Sequence, residues 1–106
     1  MTHLTTHVLD GAAGAPASGV DVKLLDADGV AVASGRTDAD GRLALGPDEL
    51  PPGTYALVFA TAPYFAARGT ETFYPSVTVA FTVADTRHYH VPLLLSPFAY
   101  STYRGT

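Results

Sequence analysis

The chain has 106 residues, ten acidic against six basic side chains and a formal net charge of −4, so we expect one domain over residues 1–106. The few lysines and arginines are scattered, which argues against a nucleic-acid partner because phosphate binding needs clustered cations. Cysteine is absent, so disulfide and thiolate chemistry are excluded, and this composition fits a reducing compartment without requiring one.

The N-terminal residues have none of the features of a secretory segment. They contain neither a basic region nor an apolar stretch of roughly 7–15 residues, as a signal peptide would. The longest strongly apolar run, residues 91–95, is far too short to cross a bilayer. We therefore expect a soluble, cytoplasmic protein with no membrane partner, and the sequence leaves open whether a signal segment was removed.

Short apolar or alternating runs separated by turn residues recur along the chain at intervals of roughly 8–12 residues, which is typical of a β-sandwich or barrel. In chain order, strands are predicted at residues 4–10, 20–25, 30–34, 42–45, 55–60, 77–83, 88–96 and 98–104. A loop rich in Gly, Ala and Pro covers residues 11–19, and a loop with three prolines covers residues 46–53.

Turn and helix signals complete the pattern. The sequence Asp-Ala-Asp-Gly occurs at residues 26–29 and 38–41, and both copies are predicted to be hairpin turns, because Asp bonds nearby backbone amides and Gly accepts positive φ. Both copies are short, and neither is followed by a glutamate at the spacing of an EF-hand calcium loop. One short helix is predicted at residues 62–68, with Pro63 early in the helix and Gly69 after its end. These elements predict an all-β sandwich of seven or eight strands with one short helix.

The two-residue period of a β-strand divides residues 88–96 between two faces. The predicted core face carries Tyr89, Val91, Leu93 and Leu95, and the opposite face carries His88, His90, Pro92 and Leu94. In the first strand the same alternation separates Leu4, Thr6 and Val8 from Thr5, His7 and Leu9. Apolar residues beside histidines outside the core suggest a second burial event, such as subunit association. Pro92 has no N–H to donate, which predicts an edge or irregular position.

His90 is the first candidate for catalysis, because an imidazole pKa of about 6.5 lets the ring accept and return a proton near neutrality. From spacing alone, an inert histidine that is hydrogen-bonded at a strand edge is the more ordinary interpretation.

His88 and His90 form an H-x-H pair that could bind a metal with His7 as a third ligand, since catalytic zinc usually needs three. Because cysteine is absent and the carboxylates cluster in turns, we predict no metal site.

Arg42 follows Asp40 and Gly41, and its fixed fork of donors suits an anionic or carbonyl-rich ligand. The alternative is a solvated turn arginine, which is common. Arg36 lies six residues earlier and belongs to no comparable motif. Other chemistries find no support, since the sequence has no G-x-S-x-G nucleophile elbow and neither of the glycine-rich nucleotide motifs.

Four segments occur together in a fixed order: Thr-Thr-His-Val-Leu-Asp at residues 5–10, Asp-Gly-Arg at 40–42, His-Tyr-His-Val-Pro-Leu-Leu-Leu-Ser-Pro at 88–97 and Tyr-Arg-Gly at 103–105. Their combination resembles the 5-hydroxyisourate hydrolases, the purine-degrading relatives of transthyretin, over about residues 4–106. The chain departs from that family at Thr106, where the family has serine, and at Ala99, where glycine is usual.

The resemblance implies a transthyretin-like β-sandwich that assembles as a homotetramer, a dimer of dimers with its active sites in a central channel. It implies hydrolysis of 5-hydroxyisourate to 2-oxo-4-hydroxy-4-carboxy-5-ureidoimidazoline in urate degradation, without a cofactor or metal. The implied catalytic residues are His7, Arg42 and His90, with either histidine open as the base. The implied substrate-binding residues are Ser101, Tyr103, Arg104, Gly105 and Thr106. The rival expectations are a transthyretin-like protein that binds a small ligand without chemistry and a purely structural sandwich module.

Overall fold

The computed structural model describes residues 3–106, which form two β-sheets and one short helix. In chain order the elements are β1 (Leu4–Asp10), β2 (Ala15–Pro16), β3 (Asp21–Leu25), β4 (Ala31–Arg36), β5 (Arg42–Ala44), β6 (Gly53–Phe59), α1 (Thr61–Ala66), β7 (Val77–Val83), β8 (Tyr89–Ser96) and β9 (Ala99–Thr102). The first sheet has the strand order β2-β1-β8-β9, with β5 also paired to β1, and the second has the order β4-β3-β6-β7. The prediction of an all-β sandwich with one short helix is confirmed.

Predicted and observed elements differ mainly at their ends. β1 and β7 occupy the predicted residues, while α1 begins at Thr61 and ends at Ala66, slightly earlier than predicted. The two-residue β2 lies inside the predicted loop at residues 11–19, and it brings the strands within residues 3–106 to nine, against seven or eight predicted. A strand of two residues carries no periodic pattern, so the sequence could not reveal it. The one helix within residues 3–106, α1, has six residues, whereas a helix that spans a bilayer needs about 20.

The core between the sheets has the composition that the alternation predicted. All four residues on the predicted core face of β8 are buried, namely Tyr89, Val91, Leu93 and Leu95. In β1, Leu4 and Val8 are fully buried and point inward with Thr6. The hydroxyl of Thr6 donates to the carbonyl of Val91 at 2.6 Å, so this polar side chain enters the core with its donor satisfied.

The parallel pairing of β1 with β8 determines where the two histidine-bearing segments meet. It runs from Leu4 opposite Tyr89 to Asp10 opposite Leu95, and β9 pairs with the other edge of β8. β8 is therefore an inner strand, and the prediction that Pro92 lies at an edge is wrong. The alternative of an irregular position is confirmed, because the antiparallel pairing of β8 with the C-terminal segment is interrupted beside Pro92.

A buried polar contact connects the end of β1 to α1. The hydroxyl of Tyr64 donates to Oδ2 of Asp10 at 2.8 Å, while Oδ1 of Asp10 accepts the amides of Ala12 and Ala13 at 2.9 Å each. Burial, together with the nearby Asp10 carboxylate, raises the pKa of Tyr64 to about 12. The phenol therefore remains a donor at any physiological pH, and the bond fixes α1 against the first sheet.

Candidate active site

The site forms where β1 meets both β8 and β5, three strands that are far apart in the sequence. In the β1–β8 pair, Thr5 lies opposite His90, and in the antiparallel β1–β5 pair, His7 lies opposite Arg42. Side chains at paired positions project from the same side of a sheet. The fold therefore brings these four side chains onto one patch on the outer face of the first sheet, opposite the core.

The turn before β5 holds Arg42 against β1. Gly41 has a φ of +74°, which favours glycine, and a Cβ at this position would collide with the carbonyl oxygen of Val8. The carbonyl of Gly41 accepts a 2.7 Å hydrogen bond from the amide of Val8. Oδ1 of Asp38 accepts the amides of Asp40 and Arg42 at 2.9 Å each, so the predicted Asp-based turn is confirmed. The prediction that it is a hairpin turn is wrong, because it connects β4 of the second sheet to β5, which pairs with β1 of the first, whereas the turn at residues 26–29 does connect the antiparallel pair β3 and β4.

Thr5 connects the two histidines of the H-x-H pair. Its Oγ1 lies 2.8 Å from Nε2 of His88 and 2.8 Å from Nδ1 of His90. The two imidazole rings are nearly parallel, with centroids 6.4 Å apart and an interplanar angle of 23°. His88 is exposed and His90 is half-buried, so one hydroxyl bridges a solvated imidazole and a sheltered one.

The C-terminal segment covers one side of His90. The amide of Gly105 donates to the carbonyl of His90 at 2.9 Å, in an isolated antiparallel bridge that keeps the register of the β8–β9 pairing. The backbone at Gly105 is so close that an added Cβ would lie 2.5 Å from Cδ2 of the His90 ring. Gly105 therefore contacts the imidazole through its backbone, and the same segment carries Thr106 to the site.

The electrostatic environment keeps His90 neutral. Burial lowers the pKa of His90 most, and the positive charge of Arg42 and the nearby His88 and His7 lower it further, while the contact with Thr5 raises it. A lowered pKa leaves the free imidazole as the main form near neutral pH. The half-buried ring is thus suited to accept a proton.

His7 faces the Asp40–Arg42 turn. Its Nε2 lies 2.9 Å from the carbonyl oxygen of Asp40. Because a carbonyl can only accept, this nitrogen must carry the proton, and the neutral ring keeps its lone pair on Nδ1. His7 is therefore in the same patch as His90 with its tautomer set by the turn backbone.

A cavity of about 500 Å³ opens at this patch. Its polar lining residues include Thr5, Arg36, Asp38, Arg42, His88, His90 and Thr106. The volume lies within the range of small-molecule sites, roughly 300–1,000 Å³. Arg36 is paired with Asp21 at 2.8 Å, whereas Arg42 forms no ion pair with any residue from 3 to 106. The guanidinium of Arg42 is therefore available to a ligand.

Other predicted site residues line neighbouring cavities. Tyr103 and Arg104 border a second cavity of about 310 Å³ that shares His90 with the first. The guanidinium of Arg104 lies 4.5 Å from the ring centroid of Tyr89, close enough for a cation–π contact. Ser101 borders a third cavity beside Leu94 and does not reach the first within one chain.

Sequence reasoning missed Thr5, Arg36 and Asp38 as lining residues of the main cavity. Thr5 belongs to the quoted N-terminal motif, but only the β1–β8 register reveals that it lies between two imidazoles. Asp38 is visible as a turn residue, and nothing in its spacing predicts its place in the cavity wall. Arg36 ends β4 in the other sheet, so no strand alternation connects it with Arg42.

Metal binding receives no support from the side-chain arrangement. Within residues 3–106, no three His, Cys, Asp or Glu side chains are grouped as metal ligands would be. One nitrogen of each ring in the H-x-H pair, Nε2 of His88 and Nδ1 of His90, is engaged by the hydroxyl of Thr5. The pair is therefore organised around a hydrogen-bonding group.

Comparison with known proteins identifies relatives along the whole described chain. The 5-hydroxyisourate hydrolase of Mus musculus is 46% identical over 111 residues, covering 97% of this chain and 94% of its own length. The structure of Klebsiella pneumoniae 5-hydroxyisourate hydrolase has a TM-score of 0.92 and 38% identity, with 100% of both chains covered. Sea bream transthyretin in complex with thyroxine has a TM-score of 0.90 and 34% identity, over 98% of this chain and 95% of that one.

These likenesses agree with the order of the four motifs and with the two-sheet architecture. The fold is transthyretin-like, as predicted. A family model described as HIUase/Transthyretin family matches residues 4–105, which include β1, β5, β8 and the segment that covers His90. With sequence, fold and site geometry in agreement, the chain belongs to the HIUase/Transthyretin family.

Proposed function

We propose that the protein hydrolyses 5-hydroxyisourate to 2-oxo-4-hydroxy-4-carboxy-5-ureidoimidazoline, a step of urate degradation. The observation that carries the proposal is one cavity that joins the half-buried imidazole of His90, whose pKa is lowered, to the guanidinium of Arg42, which has no ion-pair partner in the part of the chain that the structure describes. The name 5-hydroxyisourate hydrolase on relatives from Mus musculus and Klebsiella pneumoniae supports the choice of substrate.

In the proposed reaction, water attacks a ring amide carbonyl while a histidine takes its proton. The C–N bond of the ring then breaks, and the leaving nitrogen receives that proton from the histidine. The carbonyl carbon becomes a carboxylic acid, which ionises to a carboxylate and releases the second proton of the water to solvent. General-base assistance of this kind is typically worth ~10²–10⁴-fold in rate. We favour His90 as the base because its Nε2 has no partner among residues 3–106 and is not a buried atom. His7 remains the second candidate.

Arg42 is proposed to stabilise the negative charge that develops on the attacked carbonyl oxygen. A guanidinium is always charged and presents its donors in a fixed fork, so it needs little reorganisation when the oxyanion forms. Thr106 borders the same cavity. The adjoining cavity, which also contains His90, is bordered by Tyr103 and Arg104, and the backbone of Gly105 covers the His90 ring. We propose that these four shape the substrate pocket. The reaction needs only water, so we propose no cofactor.

The proposed assembly is a homotetramer, a dimer of dimers with the sites between subunits. The patch with Thr5, His7 and His90 lies on the outer face of a sheet, yet its members are half-buried and apolar neighbours such as Leu94 are exposed there. A second protomer would cover this face and enclose the cavity. Ser101, which borders a different cavity of its own chain, would take part only in such an assembly.

The test of the activity is a spectrophotometric assay with freshly made 5-hydroxyisourate. We expect its ultraviolet absorbance to fall faster with protein than by spontaneous decay. His90→Asn should nearly abolish the enzymatic rate while the oligomer persists, and full activity in this variant would remove His90 from the mechanism. Parallel assays of His7→Asn assign the base. Arg87→Gln alters an exposed arginine that pairs with Asp85, and it serves as the matched control for Arg42→Gln.

A second candidate is a transthyretin-like protein that binds a small ligand without chemistry. The likeness to sea bream transthyretin, which was solved in complex with thyroxine, favours it. Decay of 5-hydroxyisourate at the spontaneous rate, with saturable binding of an aromatic ligand, would establish this function.

A cytoplasmic location and a single domain over residues 1–106 stay predictions, to be tested by cell fractionation and by limited proteolysis.

A further inference from the structure

The proposed mechanism gives no role to Thr5 or His88, although both border the main cavity. Oγ1 of Thr5 lies 2.8 Å from one ring nitrogen of each histidine, Nε2 of His88 and Nδ1 of His90. Thr5 is half-buried and pairs with His90 across the β1–β8 register, so the contact is fixed by backbone pairing. The hydrogen-bonded bridge from His88 through Thr5 to His90 therefore follows from the pairing of β1 with β8.

Proton counting restricts what this bridge can be. A threonine hydroxyl carries one proton, so it donates to one imidazole at most and must accept an N–H from the other. If both rings are neutral, one of the two contacting nitrogens bears a proton and the other does not. The tautomers of His88 and His90 are thus coupled through Thr5, and fixing one fixes the other.

The direction of the bridge decides whether His90 can act as a base. If Thr5 donates to Nδ1 of His90, the proton of the neutral ring lies on Nε2. Nε2 is then a hydrogen-bond donor and cannot accept a proton from water. If Nδ1 of His90 donates to Thr5, the free Nε2 has the lone pair, and Thr5 donates to Nε2 of His88. Only the second arrangement gives water at Nε2 a proton acceptor.

We propose that Thr5 holds His90 in the Nδ1–H tautomer and that Thr5 and His88 relay the proton that His90 gains during catalysis. Both inferences rest on the proposed hydrolase function, because the need for a base at Nε2 selects this tautomer, but the tautomer itself is measured on the free protein. Thr5 and His88 are positioning residues, since they act through His90. When Nε2 of His90 takes a proton from water, the Nδ1 proton moves to Oγ1 of Thr5. The hydroxyl proton of Thr5 then moves to Nε2 of His88, which becomes the imidazolium.

The charges around the bridge favour this movement. Burial lowers the pKa of His90 most, and Arg42 from β5, His88 and His7 from β1 lower it further. Arg36 and Asp38 border the same cavity, and Arg104 borders the adjoining one. An imidazolium at half-buried His90 is therefore destabilised, whereas an imidazolium at exposed His88 is stabilised by hydration. The leaving nitrogen regains a proton when the relay runs back.

The tautomer is tested on the free protein, without substrate, by imidazole nitrogen NMR at a pH where His90 is neutral. We expect the wild type to show Nδ1–H for His90, and a wild-type Nε2–H form would overturn the proposal whatever the variants do. Thr5→Val removes the hydroxyl at nearly equal volume and should release His90 to the Nε2–H form. Thr5→Ser should restore Nδ1–H, and Thr78→Val, at an exposed position of β7, should change nothing.

The relay is tested by kinetics with His88→Gln. The amide oxygen of glutamine can still accept from Thr5, so the His90 tautomer should persist, but glutamine cannot take up the proton. We expect kcat to fall about tenfold or more with KM nearly unchanged, and Thr5→Val to lose kcat in the same way. Unchanged kcat in His88→Gln would overturn the relay.

These outcomes are distinguishable from failure of the proposed function. If the wild type does not accelerate decay of 5-hydroxyisourate, the hydrolase proposal and the relay fail together, but the NMR result still decides the tautomer. If hydrolysis is confirmed and Thr5→Val keeps both the wild-type tautomer and the wild-type kcat, the function stands and the inference about Thr5 is wrong.

Discussion

At Gly105 the backbone crosses the His90 imidazole without room for a side chain. A Cβ there would lie 2.5 Å from Cδ2 of His90 and 3.1 Å from Cγ of Pro92. Gly105→Ala should therefore push the ring away from Thr5 or lift the C-terminal segment off it. We expect kcat/KM to fall about 10- to 100-fold with the fold intact by circular dichroism, since small misplacements of catalytic groups are costly.

The control for this substitution is Gly11→Ala. A Cβ at Gly11, which follows the end of β1, would approach the Ser96 hydroxyl at 3.1 Å and the Leu95 carbonyl at 3.5 Å, at the far end of β8 from His90. This variant should keep wild-type kinetics. Equal activity in Gly105→Ala and Gly11→Ala would show that the covering backbone does not position the imidazole.

Arg42 has an electrostatic effect on His90 that is separable from substrate binding. Its guanidinium disfavours the imidazolium and so lowers the pKa of His90. Removing the charge in Arg42→Gln must raise that pKa, so protonation, and with it loss of the base, should set in at higher pH. NMR titration of His90 in the free protein measures this directly, with Arg87→Gln as the control. A pKa that stays constant or falls in Arg42→Gln would contradict this assignment.

At the scale of secondary-structure elements, the contact between β1 and α1 depends on one buried hydroxyl. Tyr64→Phe removes the donor to Oδ2 of Asp10 and leaves that oxygen buried without it. Leaving a buried acceptor unsatisfied costs ~1–3 kcal/mol, so we expect a lower midpoint of urea unfolding. Tyr100→Phe, at an exposed tyrosine, should leave the midpoint unchanged. The same midpoint in both variants would mean that α1 docks without this bond.

The sequence predicted most strands, and which of their side chains enter the core, because both depend on the alternation of apolar and polar residues along a short segment. The buried and half-buried pattern of β1 follows directly from the order of Leu4, Thr5, Thr6 and His7. Pairing was not predictable, because nothing local in β1 indicates that β8 is its parallel neighbour. The inner position of Pro92 follows from that pairing, since the proline lies beside a break in the ladder and not at an edge.

The sequence predicted which residues belong to the candidate site, but it did not predict how their side chains are arranged. Motif resemblance singled out His7, Arg42 and His90, and the structure brings them onto one face. Thr5 was seen only as a strand residue, because a threonine gains its role from the two imidazoles that the register places beside it. Local sequence carries no information about a neighbour more than eighty residues away.

At the scale of the whole molecule, the proposed tetramer predicts a solution mass of about four times the 11.0 kDa of one chain. Leu94 is 40% exposed on the outer face of β8, in the expected subunit interface. Leu94→Arg should dissociate the assembly and reduce activity, because a charge would have to be buried there. Val30→Arg, at a residue 59% exposed before β4, is the control. A wild-type mass near that of one chain by light scattering would exclude the tetramer.

The pairing of β1 with a strand encoded so much later also constrains synthesis on the ribosome. At roughly 5–20 residues per second, β1 leaves the exit tunnel seconds before β8 exists. During that interval one edge of β1 has no parallel neighbour, and an open strand edge invites pairing with other nascent chains. Truncated products that stop before residue 88 would lack His88, His90 and the strand that shields this edge. Premature termination should therefore yield aggregation-prone fragments that chaperones must retain.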